Sequence, residues 1–293
     1  MTQAEPNQQN IEAPAKHGPT LGLVAGGLSI GLLFVMFYPT LRATAEICWS
    51  NDNYSHGLLL PLIAAFFLYD RRQSVLKELG APDLSLFGLG LLLAAVPLFW
   101  LGEVSDIVFV RWLSFFPAAV GLVCLLVGTR AGLRIAPAIG LLFLAKPIPD
   151  SLAPKLFNSF QSFAASRSAE LLNLFGVPVY LRGNVLELPG MQLLVEEACS
   201  GMRSLMALLT VAVIVLLFSG GGVLKLVVVT LSAVLLAVAL NVFRVTLTGL
   251  IARYVDLETA TGFFHGFSGL LIFLFGLWAL FLVARWVDRG IQR

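Results

Sequence analysis

The chain has 293 residues, of which 58% are hydrophobic and 12% charged, with a net charge of +2 and a mean hydropathy of +0.89. Apolar runs broken by short charged stretches describe a helical bundle in lipid rather than a water-soluble core. The small, scattered charge argues against nucleic-acid binding, and three cysteines argue against a disulfide framework.

Residues 1–19 are polar, rich in Gln, Asn, Ala and Pro, with no pattern of a cleavable signal peptide. They are expected to form a disordered cytoplasmic tail, leaving 20–293 as a single transmembrane domain. Eight spans are expected, near 20–39, 56–69, 86–102, 112–128, 135–147, 200–218, 224–249 and 265–285. The second and fifth fall short of the roughly 20 residues a spanning helix needs, so their ends must be extended or buried against neighbours. Arg71, Arg72 and Lys77, then Arg130 and Arg134, then Lys225, then Arg285, Arg289 and Arg293 fall on one side, and most acids on the other. The excess of Lys and Arg places that side, with both termini, in the cytoplasm.

The stretch between the fifth and sixth spans is then external. Residues 151–176 set Leu152, Leu156, Phe160, Phe163, Leu171, Leu172 and Phe175 at near-helical spacing, as in an amphipathic helix lying on the membrane surface. Residues 177–195 alternate apolar and polar around Arg182-Gly183-Asn184, with Pro189-Gly190 following, which fits a β-hairpin or an extended loop. This segment is either a cap over a site at the membrane edge or a plain surface loop. The expected architecture is an all-α polytopic membrane protein of about eight transmembrane helices, with an external amphipathic helix and a short β-hairpin or loop cap.

Three reactive side chains fall on three consecutive spans at the external face. Cys199 precedes the sixth span in Glu197-Ala198-Cys199-Ser200-Gly201-Met202-Arg203. A helix amino terminus favours thiolate over thiol, and Arg203, one turn on, adds to that, while Glu196 and Glu197 oppose it. Taken alone, a cysteine in a membrane helix is more often a small packing residue. Arg244, in Asn241-Val242-Phe243-Arg244, lies roughly 30 Å along its helix and so reaches the external leaflet. An arginine there either snorkels to the headgroups or supplies a fixed cation to a developing oxyanion, with Asn241 on its face. His265 opens the last span and suits a general acid or base, although a single interfacial histidine is usually structural. What outweighs the plainer readings is that all three converge on one face. His56, in Tyr54-Ser55-His56-Gly57, also lies externally, as a substrate contact or a packing residue.

Together these stretches, with Gly266 and Gly269 behind His265 and with Pro61 and Arg71-Arg72 behind Tyr54-Ser55-His56-Gly57, resemble the motifs of the exosortase/archaeosortase family. The resemblance runs from about residue 53 to the last helix. It implies a multi-pass enzyme of the bacterial inner membrane, a cysteine transpeptidase or protease with its active site on the periplasmic face and no cofactor. The implied substrates are exported proteins with a carboxy-terminal sorting tail: a Pro-Glu-Pro-type motif, an apolar helix and a basic cluster. Further implied partners are membrane lipids and a lipid or polysaccharide acceptor. By the same resemblance Cys199 is the nucleophile, Arg244 the transition-state stabiliser and His265 the proton carrier. Arg203 and Asn241 are assigned supporting roles beside them, and His56 either a substrate contact or helix packing. This parallels the soluble sortases on an unrelated fold. The rival reading is a transporter or channel-type protein with intramembrane Arg and His. Such proteins hold those residues near the midplane, usually with internal repeats, whereas here they sit at one edge. A metal site is disfavoured, because the three histidines and three cysteines are dispersed.

Overall fold

Lipid offers no partner to backbone N–H and C=O groups, so long apolar runs must close their hydrogen bonds internally as helices. The computed structural model describes residues 19–80, 85–195, 201–220 and 222–291, without the side chains of 19–23, 261, 263–265 and 291. In chain order, α1 (Pro19–Ser50) leads into a 3-10 segment (Asp52–Leu59), α2 (Leu60–Asp70) and α3 (Arg72–Glu78). Next come α4 (Leu86–Val104), α5 (Val108–Val127), α6 (Thr129–Leu141) and a second 3-10 segment (Leu142–Ala145). Then follow α7 (Ala153–Leu174), strands β1 (Tyr180–Arg182), β2 (Val185–Leu188) and β3 (Met191–Leu194), and α8 (Met202–Ser219), α9 (Val223–Tyr254), α10 (Leu257–Thr261) and α11 (Phe263–Ile291).

Among the described residues, six helices are long and apolar enough to cross a membrane, within α1, α4, α5, α8, α9 and α11. The two expected spans that looked short are not among these six, and each joins an α-helix to a 3-10 segment. The first 3-10 segment runs straight into α2, and α6 runs straight into the second. At about 2.0 Å per 3-10 residue and 1.5 Å per α residue, the two pieces of each composite laid end to end would measure roughly 30 Å, about a hydrocarbon thickness. The composites pack against each other, so each shortened helix is supported by its neighbour. The first span is longer than expected, because α1 continues past residue 39 to Ser50 despite Pro39.

The segment after α6 departs from expectation in an informative way. α7 forms over nearly the predicted range, but the face it buries carries Ala153, Gln161, Ala164, Ala165, Ser168, Ala169 and Leu172. Leu152, Leu156, Phe163 and Phe175 are exposed. Small residues let the α7 backbone approach α9 closely, and the large apolar ones are left for the surroundings, as membrane helices do. Ser168 Oγ donates to the Val242 carbonyl across that contact at 3.1 Å. α7 is therefore docked on the bundle and not merely laid on a surface.

The cap is an antiparallel β1-β2-β3 meander. Its turns fall at Gly183-Asn184 and Pro189-Gly190, where both glycines take a positive φ. Its buried side, Leu186, Leu188 and Leu193, packs with Ala165, Leu172 and Val245, joining sheet, α7 and α9 in one cluster.

At the opposite end of the bundle the helices are tied by polar contacts. Lys225 is fully buried, with Nζ 2.6 Å from Asp288 Oδ1 and 2.7 Å from Ser219 Oγ, linking α9, α11 and the end of α8. Arg71 donates to the carbonyls of Leu217 and Phe218, satisfying the exposed carboxyl end of α8.

Candidate active site

Residues 196–200, Cys199 among them, lie outside the described residues, as does the side chain of His265. The residues on either side of 196–200 are firmly held. On one side Val195 is buried, its N–H donates to the Asn184 carbonyl at 3.0 Å, and its carbonyl accepts from Gln161 Nε2 of α7. On the other side Gly201 takes φ +78, the left-handed region, immediately before α8. A Cβ there would fall 2.6 Å from Asn241 Cγ. Glycine is thus required twice, for its backbone angle and for the close approach of α9.

Asn241 and Arg244 lie one turn apart on α9, so both side chains leave the same helix face. Asn241 is buried and Arg244 partly buried. The Arg244 guanidinium lies along α11 at Gly269, where an added Cβ would come within 3.0 Å of Cζ and Nη2. Ser204, Asn241, Arg244 and Gly269 line one small cavity between α8, α9 and α11. A neighbouring cavity, bounded by Phe160, Phe163 and Ala164 of α7, opens onto Gly201 and Asn241 from the other side. Amide and guanidinium donors side by side at a low-dielectric cavity wall can stabilise an anionic oxygen.

Position 265 lies in the first turn of α11, about one helical turn before Gly269. The structure therefore brings together Gly201, Asn241, Arg244 and Gly269, described residues from each of the three motifs. Arg203 does not join them. It sits exposed on the first turn of α8 and pairs with Asp52 at the start of the first 3-10 segment. His56 is half-buried, with Nε2 3.2 Å from the Leu144 carbonyl, so it fastens one 3-10 segment to the other. That contact is packing within the bundle.

Sequence reasoning missed Gln161 and Asp52. The only signal for Gln161 was a lone amide on the small-residue face of α7, and for Asp52 an acid just ahead of the Tyr54-Ser55-His56-Gly57 stretch. Cys48 is buried, with Sγ 3.6 Å from the Ala145 carbonyl. Nearby, Lys146 is fully buried and pairs with Asp150 at 2.8 Å. Farther out, Asp256 caps α10, and the hydrogen bonds from the Thr259 backbone N–H and hydroxyl hold its carboxyl below the usual range.

Residues 48–282 match one protein-family model, described as transmembrane exosortase. That stretch includes His56, Cys199, Arg203, Asn241, Arg244 and His265. Neither the curated proteins nor the solved structures offer a significant match.

Proposed function

Since the chain belongs to the transmembrane exosortase family, a membership that supports a membrane transpeptidase or protease role, we propose that it cleaves the carboxy-terminal sorting tail of exported proteins through a thioester on Cys199. The observation that carries the reading is the contact of Asn241 with Gly201 and of Arg244 with Gly269. Cys199 is two peptide links from Gly201, which bounds its Cα to about 7 Å from that glycine. Position 265 is about 6 Å along α11 from Gly269. Cys199 and His265 are thus each a short length of chain from a glycine in contact with Asn241 or Arg244.

In the proposed sequence, His265 accepts the thiol proton as Cys199 sulfur bonds to the scissile carbonyl carbon. Arg244, with Asn241 beside it, stabilises the oxyanion. The C–N bond then breaks, and the proton passes from His265 to the leaving amine. An acceptor amine or hydroxyl displaces the thiolate and yields the transferred product; water in its place yields proteolysis. The domain spanning 20–293 acts as a single catalytic unit, with both termini cytoplasmic and the chemistry on the periplasmic face of the inner membrane. Arg203, paired with Asp52, steadies the first turn of α8.

The test uses a co-expressed exported reporter ending in a Pro-Glu-Pro motif, an apolar helix and a basic cluster. Wild type shortens the reporter, and mass spectrometry reads the new carboxy terminus and any attached acceptor. Cys199→Ala and Arg244→Ala are expected to leave the reporter full-length while the enzyme remains in the membrane; normal processing by Cys199→Ala would end the nucleophile assignment. A membrane-impermeant maleimide is expected to label Cys199 in the native protein and Cys48 only after denaturation, because Cys48 is buried.

A further inference from the structure

The site-end halves of α9 and α11 enclose a groove of about 630 Å³ on the outer surface of the bundle. Leu240, Phe243 and Leu247 form its α9 wall, and Phe267, Leu271 and Phe275 its α11 wall. Apart from Ser268, which is buried, every lining side chain is apolar. The mouth is open, since Phe243, Phe267, Leu271 and Phe275 are all exposed.

We infer that this groove seats the apolar helix of the sorting tail, an inference that rests on the reading of Cys199, Arg244 and His265 as the catalytic group. First, an extended peptide in an apolar groove within lipid would leave its backbone N–H and C=O groups unpaired, at several kcal/mol each in principle, so a peptide segment seated there is helical. Second, the walls have the form that receives a helix. Phe267, Leu271 and Phe275 follow at four-residue intervals, making one ridge of α11. Leu240, Phe243 and Leu247 make the matching row on α9, and a third helix packs its own ridge into the valley between two such rows. Each wall covers about 12 Å, which is roughly the outer leaflet's half of the hydrocarbon.

Third, the groove is continuous with the candidate site. Leu240 and Ile272 line both the groove and the cavity that holds Arg244, one on each helix. The site end of the groove, at Leu247 and Phe267, lies within one turn of Arg244 and position 265. A helix seated here would deliver the residues just ahead of its amino-terminal end to that cavity, which is where a scissile bond preceding a membrane helix must lie.

The experiment uses the full chain in membranes with a photo-crosslinking benzoyl-phenylalanine at position 247 or 271, and at position 35 of α1 as a lipid-facing reference. The probe partner is the tailed reporter, in both wild-type and Cys199→Ala backgrounds. The expected result is an enzyme–reporter adduct from 247 and 271, not from 35, that maps to the reporter's apolar helix and persists with Cys199→Ala. A second arm fills the groove: Leu271→Trp is expected to slow reporter cleavage about tenfold, as overfilling of a packed contact does, with the Cys199 alkylation rate unchanged. Adducts with lipid alone at 247 and 271, equal reporter adducts from 35, or wild-type cleavage by Leu271→Trp would each overturn the inference. The adduct needs no catalysis, so its absence refutes the docking site, whereas normal processing by Cys199→Ala refutes the catalytic reading.

Discussion

Gly269→Ala offers a way to move Arg244 without touching it. The added Cβ would stand 3.0 Å from Cζ and Nη2 of the guanidinium, tighter than an ordinary van der Waals contact, so the side chain must retreat by a few tenths of an ångström. For a cation aimed at a developing oxyanion, a 1 Å misplacement costs on the order of 10²-fold, and a few tenths are expected to cost about tenfold in cleavage rate. Stability should move in the opposite sense, because alanine is favoured over glycine inside a helix by about 1 kcal/mol. The reference is Gly290→Ala on the same helix, where nothing among the described residues lies within 4 Å. The assay follows reporter cleavage in membranes alongside thermal unfolding of the detergent-purified protein. Slower cleavage with unchanged or raised Tm for Gly269→Ala, and normal cleavage for Gly290→Ala, supports the geometry. Wild-type cleavage by Gly269→Ala, or equal losses in both variants, refutes it.

Gln161→Leu removes the donor that meets the Val195 carbonyl and leaves a buried acceptor unsatisfied. A loss of about 1–3 kcal/mol is expected, read as a lower Tm, with faster proteolytic nicking between β3 and α8. Lys225→Ala leaves the partly exposed Asp288 carboxylate without its buried ammonium partner. A drop in Tm is expected, with partial recovery in Lys225→Leu/Asp288→Leu, since an apolar pair can replace a buried ionic one.

The membrane architecture was legible because hydropathy reports directly on lipid: the six long apolar helices stand where runs of Leu, Val and Phe predicted them. The two composite spans were marked as short, but nothing in residues 52–59 or 142–145 announced a 3-10 extension. That depends on the tertiary contact between His56 and Leu144. α7 was placed correctly along the chain, and Leu152, Leu156 and Phe163 are exposed, as a helix with its apolar side on the membrane requires. What spacing did not reveal is that the alanines of another side pack against the protein. At the site, periodicity could put Asn241 and Arg244 on one face of α9, yet the approach of Gly201 and Gly269 to them is set by helix rotation within the bundle. The polar anchors Gln161 and Asp52 were unreadable for the same reason: their partners, Val195 and Arg203, are distant in sequence.

The buried Lys225–Asp288 pair fastens α9 to α11 at the end of the bundle remote from Arg244. With the two rods pinned there, any change in their crossing acts as a lever whose short arm is the ammonium–carboxylate contact and whose long arm is some 30 Å of helix. A tilt of about one degree about that fulcrum displaces the far tips by roughly 0.5 Å, a distance that matters to an oxyanion donor. A perturbation of Ser219, Lys225 or Asp288 is therefore expected to reach the gap between Arg244 and Gly269 from the far end of the helix pair, and to register in the rate of chemistry as well as in resistance to heat.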